Sequence, residues 1–162
     1  MTIVVTDGPI EIHIDEHPEN PREWDNIGTF WGFHGRYASP DPVPAGVGPM
    51  DLPEDIVYLP VWLYDHSGVA FAAAESNPFY CPWDSGQFGW IFTTKEVLRR
   101  QFGWQRISAK REAEVKKMLA AEVEVFSQYA NGEAYGFVNT ETGDSCWGFY
   151  TVKEALQEAL AA

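Results

Sequence analysis

The 162 residues read as an α+β chain: a single domain in which a mostly antiparallel, aromatic-rich sheet carries about three helices, preceded by an acidic, proline-rich N-terminal wrap. Three observations predict it. Apolar residues make up 45% and aromatics 15% of the chain, with seven Trp, which is ample for one core at a length where folding hides roughly 70% of the unfolded surface. Short runs of period two stand apart from longer runs of period 3.6. Acids and prolines crowd into the first third: residues 1–60 hold eleven carboxylates against Arg22 and Arg36, and nine of the eleven prolines.

In chain order, T2-I-V-V-T6 precedes I10-E-I-H-I14, whose alternation is that of a half-buried strand, and the two are expected to pair. The stretch S39-P-D-P-V-P-A-G-V-G-P49 fixes φ repeatedly and lacks donors, so it is an extended surface loop. Residues 1–56 are thus a wrap, with sheet and helices in 57–162. In V57-Y-L-P-V-W-L-Y64, Val57, Leu59, Val61 and Leu63 share one face and Tyr58, Trp62 and Tyr64 the other, as in an interior strand, with a bulge or an edge expected at Pro60. D65-H-S-G68 has the residue preference of a type I turn and returns the chain into V69-A-F-A-A-A74.

Helices are expected over 94–102, 109–130 and 152–161. The first has Thr93 as cap, Glu96 three positions on and Gly103 as stop. The second has Ser108 as cap, a stripe of Val115, Leu119, Phe126 and Tyr129, and an end at N131-G132. The third has Thr151 with Glu154 and buries Ala155, Leu156, Ala159 and Leu160. D84-S-G-Q-F-G-W-I-F-T93-T-K-E96 and D144-S-C-W-G-F-Y-T151-V-K-E154 repeat one order of parts: Asp-Ser, an aromatic-Gly-aromatic strand, a Thr cap, a helix. The triplet recurs at W31-G-F33, F88-G-W90, Y135-G-F137 and W147-G-F149. Each is expected to send two rings to one face and leave a glycine on the other, giving an aromatic layer against the helices.

A net charge of -13 repels phosphates, so direct nucleic-acid or anionic-membrane binding is not expected, and a basic protein is the natural partner. The N-terminus shows no basic and apolar leader, and no run approaches a membrane span, which is the pattern of a cytoplasmic protein. Cys81 and Cys146 are expected as two reduced thiols.

P18-E-N-P-R-E-W-D-N-I-G28, L63-Y-D-H-S-G68, C81-P-W-D-S-G-Q-F-G-W90 and D144-S-C-W-G-F-Y150 resemble a family of small, functionally uncharacterised proteins encoded by bacteriophages, plasmids and other mobile elements, over roughly residues 15–150. The resemblance implies an accessory protein in a bacterial cytoplasm, and carries no site residues.

The residue types present bear on four chemistries. A thiol nucleophile needs a base and an orienter. Cys81, His66 and Asp84 supply the types a small hydrolase or transferase would use, with His34 and Cys146 as alternates, but neither cysteine lies in a thiol-protease signature. S67-G68 and S85-G86 lack the first glycine of a nucleophile elbow, and read as turns in which Gly takes a positive φ. No metal motif joins Asp25, Asp65, His66, Asp84 and Asp144, and no cofactor motif is present, so neither group is expected. E133-A-Y-G-F-V-N-T140 only partly matches an RNA-recognition octamer: Glu133 stands where a base belongs, and Tyr135 and Phe137 are core rings instead.

The remaining reading is interaction through charge. Asp15, Glu16, Glu19, Glu23 and Asp25 on a stiffened wrap imitate a run of phosphates and suit a basic groove. With the mobile-element resemblance, the expected function is protein binding that masks a basic surface of a host nucleic-acid-acting defence complex. The hydrolase or transferase and a virion structural component are the alternatives.

Overall fold

The computed structural model describes residues 2–162 and contains eight strands and three helices in the order β1 Ile3–Asp7, β2 Ile10–Ile14, β3 Thr29–Gly32, β4 Ile56–Asp65, β5 Val69–Ala73, β6 Ser85–Thr94, α1 Lys95–Phe102, α2 Ala109–Ala130, β7 Tyr135–Asn139, β8 Ser145–Phe149 and α3 Val152–Ala161. The fold is α+β and every strand pairing is antiparallel. The sheet is not continuous: strands run β1-β2-β7-β8 in one sheet and β3-β6-β4-β5 in another. Each sheet belongs to its own compact unit, one made from residues 1–21 and 128–162, the other from residues 22–127. The acidic wrap contributes strands to both sheets, β1 and β2 to one and β3 to the other.

In the 22–127 unit, the alternation of β4 works as the sequence predicts. Val57, Leu59, Val61 and Leu63 are buried, together with Phe30, Phe71, Phe88 and Ile91, against Leu98 of α1 and Val115, Leu119 and Val123 of α2. Four phenylalanines meet edge-on or tilted, with Phe71 and Phe88 centroids 4.9 Å apart at 70° and Phe30 and Phe126 5.4 Å apart at 75°. Such pairs add about 1 kcal/mol each to the burial of their rings. The opposite face holds Trp31, Trp90 and Tyr58, and the proline-rich loop lies over it, accepting a hydrogen bond from Trp90 Nε1 at Pro49 O, 2.8 Å. Rings therefore occupy both faces, which corrects the single aromatic layer.

Trp31 and Tyr58 reach the far face by plain alternation, and the F88-G-W90 triplet is split by a bulge. Along β4 and β6, Val61 pairs with Gly89 and Trp62 with Gln87, so Phe88 is the extra residue; it turns into the core while Trp90 goes to the far face. Gly89 is fixed by contact: a Cβ there would sit 1.9 Å from Trp31 O. Pro60 is tolerated in this interior strand beside the bulge, where its carbonyl accepts from Ala74 N.

The helix ends follow their capping chemistry. Thr94, not Thr93, caps α1, accepting from Val97 N at 3.1 Å, because β6 pairs through Thr94 and keeps Thr93 in the strand, buried with its hydroxyl unpartnered. Gly103 stops α1 at φ 70. Ser108 Oγ accepts from Arg111 N, and Thr151 Oγ1 from Glu154 N at 3.1 Å, as the capping pattern implies.

In the terminal unit, Ile10, Ile12 and Phe137 pack on Ala155 and Ala159 of α3, with Tyr135, Phe149 and Leu156 at the margin. Leu160, expected inside, is 64% exposed. The pair Tyr135 and Phe137 faces α3 as a core element, leaving Gly136 on the other side. There a Cβ would lie 2.1 Å from the ring of Trp147. A bulge at Gly148, φ 95, again separates the two rings of a triplet, so that Trp147 lies opposite Gly136 and Phe149 opposite Tyr135.

Candidate functional site

The C81-P-W-D-S-G stretch is a turn that ends earlier than its composition implies. Pro82, Trp83 and Asp84 turn, and Ser85 and Gly86 already belong to β6, paired with Tyr64 and Leu63. Ser85 Oγ donates to Cys81 O and accepts from Asn77 Nδ2 at 3.0 Å, while Asn77 Oδ1 accepts from Phe79 N, so the incoming loop is tied before the strand begins. In the 65–68 turn the left-handed residue is Ser67, φ 58, rather than a glycine. The twin stretch behaves alike: Asp144 closes a turn and Ser145 opens β8. Both Asp-Ser pairs are thus bends that feed strands.

The same turns nevertheless gather the three chemical groups. Asp65 N donates to Asp84 O at 2.9 Å, which sets the end of β4 beside the start of β6. His66 Nδ1 then lies 3.1 Å from Asp84 Oδ2, and Cys81 Sγ donates to that same oxygen at 3.6 Å. The order is thiol, carboxylate, imidazole. A thiol–imidazole nucleophile places the imidazole in the middle, where it takes the thiol proton while the carboxylate orients it from behind. Here the carboxylate is central, and no hydrogen bond joins His66 to Cys81 among the described residues. The convergence is real and the polarity differs from that of an activated cysteine.

Next to it opens a polar cleft of about 230 Å³, lined by His34, Arg36, Asp65, Trp83, Asp84 and Ser85. Arg36 pairs with Asp65, and His34 Nδ1 accepts from Arg36 N at 3.0 Å. The Tyr37 phenol is held above its ordinary value, first by its hydrogen bond to Asp65 and then by desolvation. Trp83 and Tyr80 stand exposed at 89% and 101%.

The five carboxylates singled out from the sequence are displayed to different degrees. Glu16, Glu19, Glu23 and Asp25 are exposed, and Asp15 is half-buried with Oδ1 accepting from His17 N at 3.0 Å. Asp15, Glu16 and Glu19 belong to the terminal unit, Glu23 and Asp25 to the other. Of the two cations of the wrap, Arg36 stays exposed beside Asp65 and Arg22 is taken up internally. Arg22 is 3% exposed at its side chain: Nε and Nη2 reach the two oxygens of Asp41 at 3.1 and 2.7 Å, Nη1 reaches Glu122 at 3.0 Å, and Nη2 also donates to Gly28 O. Burial pushes the Glu122 carboxyl above the ordinary carboxylate range, and Arg22 with the Gly28 N–H pulls it back. This clamp was not legible in the sequence, since Asp41 and Glu122 lie 19 and 100 residues from Arg22; the one available signal was a single Arg inside an acidic run.

Among the described residues, no group of three or more His, Cys, Asp or Glu side chains is arranged to hold a metal ion, and no helix is long and apolar enough to cross a membrane. Compared with models of protein families, with curated proteins and with solved structures, the chain shows no match.

Proposed function

We propose that this chain is a protein-binding accessory factor of mobile elements that acts by covering a basic protein surface, with a host nucleic-acid-acting defence complex as the partner class. The observation that supports the reading is the division of charge in the wrap. Its carboxylates Glu16, Glu19, Glu23 and Asp25 face solvent, whereas Arg22 is enclosed between Asp41 and Glu122 and Arg36 is paired with Asp65. Negative potential displayed at a surface steers a cationic partner and repels nucleic acid and anionic membranes. Association with an arginine-rich peptide, followed by stopped flow, is expected to slow at least tenfold between about 20 and 200 mM salt. Reversal of Glu16, Glu19, Glu23 and Asp25 to Lys should abolish most of that rate. A rate indifferent to salt and to the reversal overturns the reading.

One observation favours a second reading. The meeting of Cys81, Asp84 and His66 beside a polar cleft is the composition of a small hydrolase or transferase site. On this reading His66, its Nδ1 held by Asp84, is the base. Cys81→Ser and His66→Ala then each abolish activity in a folded protein; retention of the cellular phenotype by both variants eliminates it.

A further inference from the structure

The terminal unit carries a cleft of about 220 Å³ lined by Ile14, Asp15, Glu16, His17 and Trp147. It is smaller than the roughly 300–1,000 Å³ of small-molecule sites and is suited to a single side chain. Its wall is an indole held from behind. Trp147 lies across Gly136, where any Cβ would come within 2.1 Å of the ring, and tilts against His13 with centroids 6.2 Å apart. His13 is 4% exposed, bonded through Nε2 to Glu11 at 3.0 Å, and its Nδ1 is buried without a partner. With those neighbours on the inner side of its ring, Trp147 is 39% exposed.

The acidic lip is held as firmly as the wall. Asp15 N donates to Ala134 O at 2.8 Å, His17 N donates to Asp15 Oδ1 at 3.0 Å, and Tyr150 Oη donates to Glu19 O at 2.6 Å, so the segment from 15 to 19 is tied at both ends. A fixed aromatic face beside two carboxylates, with an aliphatic neighbour in Ile14, has the chemistry that selects an alkyl cation. The ring quadrupole attracts the charge within about 6 Å, the carboxylates pair with it, and the apolar surface takes the methylene stem.

We propose that this cleft receives one arginine side chain of a basic protein partner, with Trp147 as the stacking face and Asp15 and Glu16 as the ion-pairing groups. The inference rests on the protein-binding reading above and deepens it: charge brings the partner, and the cleft reads a guanidinium. Arginine is preferred over lysine because its planar group stacks on indole while presenting N–H groups to carboxylates.

The test is titration calorimetry of the full chain with a hexa-arginine peptide, and with hexa-lysine and hexa-citrulline as probes of charge and shape. Wild type should bind hexa-arginine at least fivefold more tightly than hexa-lysine, and hexa-citrulline should not bind measurably. Trp147→Leu and Glu16→Gln should each weaken hexa-arginine at least fivefold. Trp147→Phe should stay within about threefold, and Glu158→Gln, exposed on α3 and outside both the cleft and the acidic run, should be near wild type. The Trp147 indole N–H resonance, assigned by its disappearance in Trp147→Phe, should shift on titration. If the charge reversals weaken binding while Trp147→Leu and Glu16→Gln do not, the cleft assignment falls and the protein-binding reading survives. If wild type binds neither cationic peptide, both fall.

Discussion

The two units use one local recipe and reach opposite outcomes. In each, an Asp-Ser bend enters a strand interrupted by a bulge, and a threonine then caps a helix: Ser85–Thr94 with Lys95–Phe102 in one, Ser145–Phe149 with Val152–Ala161 in the other. Yet β6 runs between β3 and β4 and buries Phe88, Ile91 and Phe92. By contrast β8 is an edge strand whose residues Ser145 to Gly148 are all exposed. The motif fixes bend, strand and cap, which are decided within a few residues. It does not fix burial, which depends on whether a neighbouring strand arrives on each side. An interior copy becomes core, while an edge copy leaves an aromatic ring and a row of backbone groups for another molecule to meet.

The sharpest way to break the comparison is to attack the charged clamp of the 22–127 unit. This clamp ties the loop at 22–41 to α2 through Arg22, Asp41 and Glu122, whereas in the terminal unit the Glu11–His13 contact at 3.0 Å lies along one strand and ties no loop. Arg22→Met leaves two largely buried carboxylates without their cation and should cost about 3–5 kcal/mol in urea unfolding. A loss under about 1 kcal/mol would mean that the clamp adds nothing to the stability of this unit. Gly89→Ala comes next. With backbone only 1.9 Å away there is no flexible group to give, and the expected loss is about 3 kcal/mol. Its edge counterpart, Gly148→Ala, meets nothing within 4 Å and should cost only about 1 kcal/mol, for the positive φ alone. Equal losses at the two glycines would remove the distinction between interior and edge copies.

These positions also mark what the sequence made legible. Alternation in β4, the Ser108 and Thr151 caps and the glycine stops are local, so they followed from spacing; α2 and α3 begin and end where the pattern places them, whereas the α1 cap moved to Thr94 because strand pairing reaches that far. Bulges were not legible. One extra residue at Phe88 or Gly148 reverses the side to which the next ring points, and nothing in an aromatic-Gly-aromatic triplet distinguishes a bulged strand from a regular one. For the same reason Asp15, Glu16 and Trp147 were legible one by one but their meeting in a cleft was not: the exposure of Trp147 follows from edge position, a property of the whole sheet. The Cys81–Asp84–His66 convergence was present as residue types, but its order, with the carboxylate in the middle, depends on the meeting of two turns that sequence does not bring together.

The smallest expected effect concerns pH, and it is the one in which the units should agree. Tyr150 donates to Glu19 O at 2.6 Å in a nearly buried setting, and its phenol is held above 10.0 by desolvation first and then by the nearby Glu19 and Asp15 carboxylates. The folded state therefore retains this proton more strongly than the unfolded chain. Its contribution to stability is complete below pH 10 and is lost as pH rises through the higher folded value, because the phenolate can no longer donate and faces a carbonyl and two acids. Tyr37, raised by Asp65, has the same sign in the other unit. Tyr150→Phe should cost about 1 kcal/mol at pH 8, the value of one hydrogen bond, and the gap to wild type should close as denaturation is repeated at pH values above 10. A gap that stays constant from pH 8 to 11 would show that the proton on Tyr150 is not what the fold holds there. A double variant with Tyr37→Phe that flattens the alkaline limb further than either single change would place the same chemistry in both units.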